Sequence, residues 1–167
     1  GQERGYRSGT LNVTGIVGLG AAAEIALKEM DSERERLLKL RDKIETAITG
    51  RLDTTQVNGH EQKRLAHMTN ISFGFVEGES LMMACKDIAM STSASLEPSY
   101  VLKGLGIGDD LAHSSLRLSL GRWTTEEQVD FAIENICTAV EKLRQLSPLY
   151  DMHQEGIDIT KIVWQAH

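Results

Sequence analysis

The stretch Ser115-Leu116-Arg117-Leu118-Ser119-Leu120 alternates strictly between leucine and a polar side chain. A period of two fits a β-strand with one face on an apolar core, whereas a helix would scatter these leucines around its circumference. A strand of this kind needs partners. Thr69, Ile71, Phe73 and Phe75, alternating with Asn70, Ser72 and Gly74, supply a second half-buried strand. Ile88-Ala89-Met90 is a short strand candidate.

Helical periods surround these strands. Val13 to Met30 is rich in glycine and alanine and predicts a closely packed helix that tertiary contacts must hold. Asp31 or Ser32 is positioned to cap a second helix reaching about Leu52, with Leu37, Leu40, Ile44, Ala47 and Ile48 on its apolar stripe. The charges from Glu33 to Arg41 fill its solvated face. Glu77 to Ser80 turns the chain into a helix carrying Leu81, Met82, Ala84 and Cys85. A capping box of Thr124 and Glu127 opens a helix with Val129, Ile133, Ile136, Val140 and Leu143 inward, and Pro148 ends it. Ser91 to Ser99 reads as a loop, with a short helix opening near Tyr100. Strands interleaved with helices give an α/β class with an α+β arrangement.

A net charge of -6 argues against a general binder of nucleic acid or anionic membrane, both of which call for a basic surface. The apolar runs fall well short of the ~20 residues of a membrane span. The opening Gly1-Gln2-Glu3-Arg4 carries no apolar leader, and a mature or truncated start is expected. Cys85 and Cys137 sit on apolar helical stripes, which suits core packing in a reducing compartment rather than a disulfide framework. The five histidines lack metal-ligand spacing, so no metal site is expected.

Three features could carry chemistry. Arg117 lies mid-strand between two serines, where a guanidinium has room to grip a carboxylate bidentately; a structural ion pair is the plainer reading. The loop Glu3-Arg4-Gly5-Tyr6-Arg7-Ser8-Gly9-Thr10 precedes a helix and offers hydroxyls to a phosphate, or is an ordinary loop. Ser91 to Ser95 is a small polar loop beside a site, or simply a loop. His113, just ahead of the Arg117 strand, is most simply structural.

Longer runs sharpen this. Glu3 to Leu11, Val76 to Leu81, Thr92-Ser93-Ala94-Ser95-Leu96-Glu97-Pro98-Ser99-Tyr100-Val101-Leu102, Leu111-Ala112-His113-Ser114-Ser115-Leu116-Arg117 on through Gly121-Arg122 and into Thr124-Thr125-Glu126-Glu127, Leu146 to Tyr150, and Gly156-Ile157-Asp158 together resemble the IscS/NifS-type cysteine desulfurases, in order and across the chain. The resemblance implies the C-terminal portion of a fold-type-I enzyme that uses pyridoxal 5′-phosphate and works as a homodimer. Residues 1–30 would end its large cofactor domain. Residues 31–167 would form the small domain, with a tail at about 149–167 that docks an iron–sulfur scaffold protein. Thr10 matches the residue that reaches the partner's cofactor phosphate, and Arg117 the arginine that holds the carboxylate of L-cysteine. The implied reaction takes sulfur from L-cysteine, leaves L-alanine, and passes the sulfur through an enzyme persulfide to acceptors. The implied compartment is the bacterial cytosol, or the mitochondrial matrix.

Two departures from the family pattern stand out. No lysine of this chain matches the cofactor-linking lysine. About five residues, including the persulfide cysteine, are missing between Ser91 and Thr92. A non-catalytic module binding a scaffold or regulator is therefore one alternative reading, and a selenocysteine lyase another.

Overall fold

A computed structural model describes residues 1–92 and 99–157. Two compact units divide the chain after Arg36. One helix, α1 (Val13–Arg51), begins in the first unit and ends in the second. No break occurs at Asp31 or Ser32, which corrects the expected two helices. The Ser32 hydroxyl is satisfied inside the helix by the Glu29 carbonyl at 3.0 Å, so it caps nothing.

In the first unit a short 3-10 turn at Glu3–Gly5 leads into a loop. Arg7 braces this loop by donating to the carbonyls of Gly9 at 2.6 Å and Thr10 at 2.7 Å. Gly9 has φ +92°, a conformation that suits a residue without Cβ. Asn12 is the true cap of α1: its side-chain oxygen accepts from the Gly15 amide at 3.1 Å. Val13, Ile16, Val17, Leu19, Leu27 and Met30 are each more than half exposed.

The second unit is built on a four-stranded sheet in the order β1-β2-β4-β3, formed by β1 (Thr55–Val57), β2 (Met68–Phe73), β3 (Ser91–Thr92) and β4 (Ser115–Ser119). All neighbours are antiparallel. The unit is thus α+β, with its two longest strands central, as the alternating runs predict. Its core lies on one face. Ile71, Phe73, Leu116 and Leu118 of the sheet cluster with Leu40, Ile44 and Ile48 of α1, Leu81 of α2 (Gly78–Ala84), and Val129, Ile136 and Val140 of α5 (Glu126–Arg144). Fully burying a side chain of this size stabilises by roughly 1.5–3 kcal/mol.

Other expectations shift by a few residues. Ile88-Ala89-Met90 is not a strand; the Ile88 amide closes a turn onto Cys85, and the pairing strand is Ser91–Thr92. The capping box sits one residue later than predicted, at Thr125 and Gln128, whose side chains each accept from the other's amide, while Thr124 accepts from the Gly121 amide. α5 ends at Arg144, and Pro148 opens α6 (Pro148–Gln154) instead of closing α5, because a first-turn proline sacrifices no helical hydrogen bond. Two short helices, α3 (Tyr100–Gly104) and α4 (Asp109–His113), complete the unit. The expected loop at 93–98 and the tail residues 158–167 lie outside the described residues.

Candidate functional site

The face of the sheet opposite the core carries a row of polar side chains. Asn70 on β2 and Ser91 on β3 lie directly across from Arg117 on β4, one on each side. Paired residues share a face, so strand register alone sets Arg117 between two small polar neighbours. Its side chain is exposed, while Leu116 is fully buried and Leu118 nearly so. Among the described residues no acid engages the guanidinium, and it makes no side-chain hydrogen bond or ion pair. The structural ion pair, the plainer reading of this arginine, is absent among those residues.

A buried network underlies the row. The Asn58 side chain, 5% exposed, donates to Asn70 Oδ1 at 2.6 Å and to Ser72 Oγ at 2.8 Å. Ser72 in turn donates to the Leu111 carbonyl at 2.7 Å, which ties the sheet to α4. Asn58 Oδ1 is buried with no partner among the described residues. Asn70 and Ser72 were legible in advance as the polar side of a strand, but nothing in their spacing marks them as more than solvated positions. Asn58 gave no signal.

Thr10 belongs to the first unit. It is exposed, and its hydroxyl has no partner among the described residues, while its carbonyl is held by Arg7. The loop thus presents a free hydroxyl two residues ahead of the Asn12 cap. His113 ends α4 and lines a cleft of ≈ 640 Å³ with Thr54, Phe75, Glu77 and Leu111; Arg117 is not part of that lining.

Both cysteines are core residues. Cys85 is 3% exposed and Cys137 0%. Burial pushes each thiol above its ordinary pKa of 9.0; for Cys137 the nearby Arg51 opposes this without reversing it. A thiol so placed is a poor nucleophile.

The start of the tail packs onto the second unit. Tyr150 donates to Asp53 at 3.2 Å, Gln154 donates to the same carboxylate at 3.2 Å, and Phe75 packs against both Tyr150 and His153. Beneath them Arg144, 2% exposed, donates to Asp53, Thr54 and Gly74.

Among known proteins, the chain is 56% identical over 172 aligned positions to the cysteine desulfurase IscS of Mannheimia succiniciproducens and 57% identical to that of Haemophilus influenzae. Both alignments cover all of this chain and 42% of the relative, so the chain spans less than half the length of these proteins. The 172 aligned positions exceed the 167 residues of the chain by five. Among solved structures, a NifS-like protein superposes with a TM-score of 0.74 at 31% identity, covering 84% of this chain and 37% of its own. The NifS-like protein of Rickettsia africae gives the same TM-score at 25% identity, covering 84% and 38%. The class-V aminotransferase model matches residues 1–131. On that match, which takes in most of the sequence, the chain belongs to the class-V aminotransferase family.

Proposed function

We propose that this chain supplies the carboxylate-binding strand and the phosphate-reaching loop of a homodimeric cysteine desulfurase, a sulfurtransferase feeding iron–sulfur cluster assembly and other acceptors. The observation that carries the reading is Arg117: a guanidinium fixed on a central strand, flanked by small polar residues, with no acid upon it among the described residues.

The residues present fit pyridoxal 5′-phosphate. Thr10 offers a hydroxyl with no partner among the described residues, on a loop whose Gly9 permits close backbone approach, which suits a phosphate. Thr10 would hold that phosphate, across the dimer as the family resemblance implies. When bound, the cofactor supplies an electron sink for bonds broken at the substrate's carbons.

Arg117 takes the carboxylate of L-cysteine in a two-pronged grip and so fixes the direction in which the thiol points. The sulfur then passes to an attacking thiolate: an S–S bond forms, the substrate C–S bond breaks, and the carbon takes up the released electron pair and a proton to give L-alanine. Neither Cys85 nor Cys137 suits the attacking role, since both are buried with raised pKa values. We assign that role to a cysteine that this chain does not carry, which the family resemblance implies between Ser91 and Thr92.

The decisive experiment uses the native protein that carries this chain. Its intact mass should lie well above 18.4 kDa, and it should release alanine and sulfide from L-cysteine under reducing conditions. Arg117→Ala should weaken L-cysteine binding by roughly 2–5 kcal/mol, as for removing one partner of a desolvated charge pair. An unchanged KM and turnover would refute the carboxylate role.

The lack of an exposed thiol favours a second reading, a non-catalytic docking module. It predicts scaffold binding that survives without cofactor. Because Tyr150 and Gln154 brace Asp53, a truncation testing the tail belongs after Ile157 rather than after Pro148.

A further inference from the structure

The buried network beneath the polar row fixes the direction of one amide. The Leu111 carbonyl can only accept, so the Ser72 hydroxyl spends its single proton there. Ser72 Oγ must then accept from Asn58, which identifies the Asn58 atom facing it as Nδ2. The same nitrogen lies 2.6 Å from Asn70, so the Asn70 atom it meets is the oxygen. Asn58 follows β1, on one side of β2, and Arg117 lies across from Asn70 on the other side. The Asn70 Nδ2 amide is therefore turned away from β1, toward the strand that bears Arg117. That amide nitrogen has no partner among the described residues. Ser72 is fully buried and Asn58 nearly so, so water does not compete for the lock. The lock also leaves Asn58 Oδ1 buried and unmet, a desolvation cost that sheet packing alone gives no reason to keep.

We propose that Asn70 is a substrate-orienting residue, its side-chain amide donating to the same carboxylate that Arg117 holds, with Asn58 and Ser72 as the positioning residues that lock it. A carboxylate has lone pairs for a guanidinium fork and an amide together. The inference rests on the carboxylate role of Arg117 given above.

The test compares two ligands on the cofactor-loaded dimer that contains this chain. L-alanine carries the carboxylate; L-alaninamide replaces it with a neutral amide. Dissociation constants are read from the cofactor absorption band on titration, and the quantity of interest is the preference for L-alanine over L-alaninamide. Asn70→Ala should lower that preference about tenfold, with cofactor content held. Asn70→Ser, which keeps a shorter donor and stands in should the alanine variant fail to fold, should lower it about threefold. Arg117→Ala should abolish it. A preference within twofold of the parent in the Asn70 variants, with Arg117→Ala collapsing it, overturns the Asn70 role alone. Equal weakening toward both ligands in the Asn70 variants also overturns it, since that marks general damage. A preference untouched by Arg117→Ala overturns the parent reading instead.

Discussion

Replacing Arg144 by methionine tests how the second unit holds its most constrained corner. The arginine is 2% exposed and donates five hydrogen bonds: to Asp53 Oδ1 at 2.7 Å, the Asp53 carbonyl at 2.9 Å, Thr54 Oγ1 at 2.9 Å, the Thr54 carbonyl at 3.4 Å and the Gly74 carbonyl at 3.1 Å. Two residues at this corner, Thr54 (φ +45°) and Phe75 (φ +65°), hold left-handed conformations unusual for side chains with a Cβ. Methionine keeps most of the volume but no donor. Each buried acceptor left unmet costs about 1–3 kcal/mol. The Asp53 side chain is 51% exposed, so water solvates its charge and the ion pair itself adds little. With partial relaxation of the carbonyls, Arg144→Met should cost about 3 kcal/mol. Denaturant unfolding followed by far-UV circular dichroism reads this directly. Asp53→Asn is the control and should cost about 1 kcal/mol or less. If Arg144→Met costs under about 1 kcal/mol, or no more than Asp53→Asn, the guanidinium does not hold this corner and the reasoning fails.

Ile48 is fully buried between α1 and the sheet, and Ile48→Ala should cost about 2–5 kcal/mol in the same assay. Burial, the largest single influence, would raise the Glu45 carboxyl, but Arg64, donating at 2.7 and 2.9 Å, together with Thr69 and the charge of Arg41 outweighs it and holds the group below its ordinary pKa of 4.5. The stability this supplies is present above pH 4.5 and is lost as pH falls through the lower native value, so Glu45→Gln should flatten the acid limb of a stability-versus-pH curve below 4.5 and nowhere else. Cys85 and Cys137 should react with a disulfide reagent at pH 8 only at the rate of unfolding, and rapid labelling of either in the native state would contradict their burial.

The two long strands and the α5 helix were readable because their apolar periods are long and their turn chemistry is local. Leu116 and Leu118 could belong to nothing but a half-buried strand. The helix boundary at Asp31 and Ser32 failed because a serine mid-helix can bond back to its own turn, a choice that the residue types do not reveal. β1 and α4 were missed since three and five residues give too little period to register. At the candidate site Arg117 was visible as an oddity on an apolar strand. Its neighbour Asn70 was not, because its distinction comes from Asn58 and Leu111, 12 and 41 positions away, which only the folded register brings together.

β4 has a single backbone's thickness between its two tasks. Leu116 and Leu118 press against α1 and α5 from below while Arg117 stands above. An interior at crystal-like density passes on displacement rather than absorbing it. Enlarging a leucine beneath the strand would therefore lift the whole ribbon and move the guanidinium without touching it, so the reach of this arm is calibrated by the girth of residues that no ligand meets.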